Sequence, residues 1–200
     1  MRDLVRWALP GLVLVAPLSW LLGAGAPPWP FWLAAAPVLG FVLHQSVRTW
    51  WEGRENGFRN RRRPALALII ERGNLSQRAD SGDLAYQVYE VVFYQRADWQ
   101  AARDHAHRCW DVVFLCWSMS FAAAVGGGLS VLALPQRPLL AVCYLLAALP
   151  AMFILRRKGW QTYDALQLFD RALVLAHWPL YEAALRAMTG TESGREGVPA

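Results

Sequence analysis

The chain has 200 residues and a composition that excludes an ordinary water-soluble domain: 56% are apolar, 18% are charged and 11 are tryptophan, against roughly 45–50% apolar and about a quarter charged in soluble chains. The formal charge of +5 is carried by arginine, with Lys158 the only lysine; lysine would serve as well for charge alone, so the bias points to a GC-rich bacterial genome rather than to mechanism. Of the three cysteines, Cys109, Cys116 and Cys143, none stands in a CxxC pair or a metal-ligand quartet, and Cys116 and Cys143 read as small apolar residues.

Four apolar stretches organise the chain: residues 4–23, 29–43, 112–134 and 138–155. A bilayer core about 30 Å thick takes ~20 helical residues, and the second stretch reaches that length only if residues 44–47 extend it. None carries a charge at its centre, and in lipid the backbone must then be satisfied within helices. The first stretch also has features of a signal peptide, with Arg2 and Arg6 at its start and Gly23, Ala24, Gly25 and Ala26 at its end. Its apolar run exceeds the ~7–15 residues of a signal segment and Pro27 follows directly, so a retained helix is expected. Prolines 10, 17, 37 and 150 predict local kinks.

After the second stretch comes WWEGRENGFRNRRR, residues 50–63. Arginines on phosphates with stacking aromatics would suit nucleic acid. A cluster that follows a membrane helix this closely is better explained by the bilayer edge. There Trp50 and Trp51 sit at the interface, and Arg59, Arg61, Arg62 and Arg63 face anionic headgroups. The same role is expected of Arg156, Arg157 and Lys158 after the fourth stretch, and no nucleic-acid partner is expected. The connection 24–28 has no charge and 135–138 has only Arg137, whereas residues 48–108 carry arginine throughout. The positive-inside rule therefore predicts a multi-pass inner-membrane protein with both termini and the middle segment cytoplasmic.

The middle segment begins with a short helix over 64–71, Pro64 standing at its first position. A turn-rich loop over 76–83 follows, with Asp83 as the N-cap. A helix from Leu84 carries Leu84, Val88, Val91 or Val92, and Tyr94 on one face and breaks near residues 96–98. From Trp99 a second helix runs without proline or glycine into the third stretch. That stretch holds Ala122, Ala123 and Ala124 before Gly126, Gly127 and Gly128, a small-residue face for close packing within the bundle or between protomers.

Beyond Lys158, Trp160, Tyr163, Leu166, Phe169, Leu173 and Ala176 recur at helical spacing. The helix is predicted to stop or kink at Trp178 and Pro179, with Pro179 opening a short one that ends at Gly190 and a frayed tail over 191–200. The expected fold is all-α: transmembrane hairpins over 4–47 and 111–155, a cytoplasmic helical segment over 48–110, and a cytoplasmic amphipathic helix and tail over 156–200. The amphipathic helix either packs on the middle segment or lies on the bilayer.

Chemistry-bearing residues are sparse. On a helix His105 and Cys109 share a face, as do His107 and Asp111, a spacing that metal sites use. Two ligands do not make a site, and a polar network joining His107 to Asp111 explains them as well. His44, His105 and His107 are the only histidines placed to hold a haem between helices, and none lies deep in an apolar stretch. Arg171 and His177 flank ALVLA, a spacing too common to signal a ribonuclease. No phosphate loop, nucleophile elbow, HExxH motif or intramembrane carboxylate pair occurs. Neither catalysis nor a cofactor is expected. The leading expectation is a non-enzymatic scaffold, accessory subunit or effector that forms homo-oligomers and reads a membrane or cytoplasmic partner protein through residues 83–107. The alternatives are a ligand-gated pore lined by Ser118, Ser120 and Ser130, and a haem- or metal-binding membrane protein.

Overall fold

A computed structural model of the protein describes residues 2–23, 27–53 and 63–190. All its regular elements are helical: α1 (Arg2–Leu22), α2 (Trp29–Gly53), α3 (Arg63–Arg72), α4 (Ser81–Gln95), a 3₁₀ turn (Ala97–Trp99), α5 (Gln100–Ala133), α6 (Pro138–Ala176) and α7 (Trp178–Thr189). Among the described residues there is no strand. Among the described residues three helices are long and apolar enough to cross a membrane: Trp29–Trp51, Ala97–Ala133 and Pro138–Ala176. The apolar part of α1, Trp7–Leu22, is shorter. At 1.5 Å per residue it extends about 24 Å, less than the ~30 Å of a bilayer core.

The chain forms two compact units, each drawn from two separate segments: Met1–Glu55 with Cys109–Tyr163, and Asn56–Arg108 with Asp164–Ala200. In the first unit α1 lies against α2 with backbone touching backbone. A Cβ on Gly40 would stand 1.5 Å from the carbonyl oxygen of Trp7, and one on Gly11 would stand 1.8 Å from that of Ala36. Only glycine permits this approach, the device by which helices without a hydrophobic driving force between them gain packing contact. Val15, Trp32 and Ala36 fill the seam beside the crossing, and Trp7 meets Phe41 edge-on at 5.3 Å.

Pro10, Pro17, Pro37 and Pro150 all lie inside helices that continue through them. Pro17 has no N–H to give the carbonyl one turn back, that of Val13. The Tyr144 hydroxyl donates to this oxygen at 2.8 Å, tying α6 to α1. Gly126 of α5 makes room for that hydroxyl, since a Cβ there would stand 2.1 Å from it. Trp20 flanks the Tyr144 ring edge-on at 5.9 Å.

In the second unit α4 buries Leu84, Ala85, Val88, Tyr89, Val92 and Phe93. These positions follow the i, i+4 rows from 84 and 85, which leave Tyr94 exposed rather than on the buried face. The helix starts at Ser81, so Asp83 falls in its first turn and Asp80 takes the cap position without a side-chain cap bond. The Asp80 carboxylate is held by Arg78 at 2.9 and 3.1 Å instead. At the other end Arg96 adopts extended backbone, ending α4 where the sequence predicts a break. The Arg103 guanidinium donates to the carbonyls of Phe93, Tyr94 and Arg96, covering oxygens that a helix end leaves without partners. The C-terminal helix α7 packs on α4, burying Tyr181 and Leu185. It closes at Gly190, whose φ of 66° is left-handed.

Gly40→Val is expected to force α1 and α2 apart and cost at least about 1–3 kcal/mol in denaturant unfolding of the detergent-solubilised protein. Gly82→Ala, where a Cβ meets nothing within 4 Å, should leave stability level or raise it by up to ~1 kcal/mol. Tyr144→Phe should cost about 1 kcal/mol. In a Pro17→Ala background, which restores the missing N–H, that cost should fall toward zero; the same cost in both backgrounds would rule out the Val13 bond as its source.

Candidate functional site

His44 projects from α2 into the first unit, 2% exposed. Its Nδ1 lies 3.1 Å from the Ser118 hydroxyl of α5, which donates its own hydrogen to the Phe114 carbonyl at 2.7 Å. The Ser118 hydroxyl thus stands between the His44 imidazole and the Phe114 carbonyl. A hydroxyl beside an imidazole is the arrangement nucleophilic catalysis uses. Here both groups are buried, and the pair joins α2 to α5.

The remaining sequence candidates for metal or haem lie on α5. His105, His107 and Asp111 are exposed and Cys109 is half-buried; the His105 ring packs against Phe169 at 4.9 Å. Among the described residues no three His, Cys, Asp or Glu side chains gather as ion ligands. Arg171 is exposed, while the His177 ring lies 4.9 Å from Trp99.

The paired tryptophans diverge. Trp50 is exposed, whereas Trp51 packs inward, edge-on to Trp117 at 4.1 Å and within 6.0 Å of Trp160 and 5.8 Å of Tyr163. Trp117 also meets Trp160 at 5.0 Å, and Trp110 meets Tyr163 at 5.9 Å. Gly159 permits the cluster, because a Cβ there would stand 2.4 Å from the Trp117 ring. The indole N–H groups of Trp51 and Trp117 are buried without a partner. Arg156, Arg157 and Lys158, just before Gly159, are exposed. Arg59, Arg61 and Arg62 lie outside the described residues, as does the side chain of Arg63, whose backbone opens α3.

The serines of the apolar helices are tied to backbone. Ser130 donates to the Gly126 carbonyl one turn back, as Ser118 does to Phe114, and Ser120 reaches across to Met152 of α6 at 3.1 Å. Of the three consecutive glycines, Gly126 is buried against Tyr144. Gly127 would bring a Cβ only to ordinary contact with Leu145, and Gly128 faces open space.

The second unit centres on Tyr89, fully buried, whose hydroxyl donates to the Asp170 carboxylate at 2.9 Å. Phe93 stacks on Tyr89 at 5.4 Å, and Tyr181 lies 6.1 Å from it. Gln167 is 6% exposed, and neither end of its amide has a hydrogen-bond partner. The face of α6 buried here is thus Leu166, Gln167, Asp170 and Val174, while Ala176 of the predicted stripe is exposed. Asp170 carries no sequence signal, because its burial depends on the partner that Tyr89 supplies; nothing in the structure explains the burial of Gln167. On the surface of this unit Arg96 holds the Asp98 carboxyl below its ordinary value by a direct hydrogen bond, and Arg78 does the same for Asp80.

Among the described residues these arrangements pack helices and pair several buried polar groups, while the indoles of Trp32, Trp51 and Trp117 and the Gln167 amide keep buried atoms without a partner. Compared with known proteins, the chain matches no family model, no curated protein and no solved structure.

Proposed function

We propose that the protein is a multi-pass inner-membrane protein of bacteria that acts without catalysis, as a scaffold, accessory subunit or effector. In this reading it self-associates through its membrane helices and engages a cytoplasmic partner through the second unit. The observation that carries it is the fate of the polar groups in the apolar helices. Ser118, Ser120, Ser130 and Tyr144 all give their hydrogens to backbone carbonyls. Hydroxyls so committed serve helix packing. That favours a packed bundle over a serine-lined pore.

In the proposed topology α1 is a fourth span, held to α2 by the Gly11 and Gly40 crossing and to α6 by Tyr144. A span shorter than the bilayer core is accommodated by local thinning of the bilayer. The uncharged connection at 24–28 and the single arginine at 135–138 support an outward placement of both turns. Both termini and the second unit are then cytoplasmic, and Trp50 with Arg59, Arg61, Arg62, Arg63, Arg156, Arg157 and Lys158 meets anionic headgroups on that side. Self-association is supported by Ala124 and Gly128, both exposed one turn apart on α5.

Phosphatase fusions at Gly25, Ser81 and Ala200 are expected to be active only at Gly25; activity at Ser81 would reverse the orientation. Gly128→Leu is expected to reduce the assembled mass to that of a protomer by light scattering in mild detergent, with helicity retained because a Cβ there meets nothing within 4 Å among the described residues. An unchanged mass would refute self-association through this face.

A further inference from the structure

We draw no further inference here: the strongest candidate, the exposed apolar stripe of Ala165, Leu168, Ala172 and Leu175 along α6 in the second unit, carries none because nothing in the structure shows what covers it.

Discussion

A polar atom inside an apolar helical bundle must find its partner within the chain, because neither hydrocarbon nor a dry interior supplies one. The first unit meets this constraint at its hydroxyls and its His44 imidazole, though not at the buried indole N–H groups of Trp32, Trp51 and Trp117. Pro17 breaks a helix bond and thereby frees the Val13 carbonyl; Tyr144 reaches over from α6 to take it; Gly126 yields the space for the hydroxyl. His44 and Ser118 resolve a second case by closing a chain of bonds that ends on the Phe114 carbonyl. In each case the group that solves a local polar problem also joins two helices far apart in sequence.

The two units use different means to reach close packing. The first combines its tryptophan cluster with absence: glycines at 11, 40, 126 and 159 remove side chains so that backbone, hydroxyl or indole can approach. The second relies on large rings, with Tyr89, Phe93, Trp99 and Tyr181 within 6.4 Å of one another in successive contacts. A buried carboxylate is tolerated there because Tyr89 donates to it. Glycine contacts are intolerant of any added carbon, whereas an aromatic core loses energy in proportion to area removed.

Local signals in the sequence are legible and long-range ones are not. The bounds of α3, the break at Arg96, and α7 between Pro179 and Gly190 each follow from a proline, a glycine or a polar break read in place. The three longest apolar helices follow from composition over ~20 residues. Gly11 and Gly40 carry no mark, being isolated glycines whose meaning appears only when α1 and α2 cross. The cluster of Trp51, Trp117 and Trp160 draws on three chain segments, so the pair WW reads as an interface anchor although only Trp50 stays exposed. Asp83 as a cap fails for a physical reason, since Arg78 holds the Asp80 carboxylate and the helix starts two residues before Asp83. The stripe from Trp160 to Ala176 is displaced because Asp170 and Gln167, polar by type, turn inward.

The bond between Tyr144 and Val13 links residues 131 positions apart, and this separation sets an order on assembly. The contacts of Gly11 with Ala36 and of Gly40 with Trp7 are complete once α2 has left the ribosome. Until α6 follows, the nascent first hairpin carries an open carbonyl at Val13 and no protein group to cover it. The hairpin of α1 and α2 is thus closed by shape, and its one open carbonyl is covered by a residue from the last of the apolar helices.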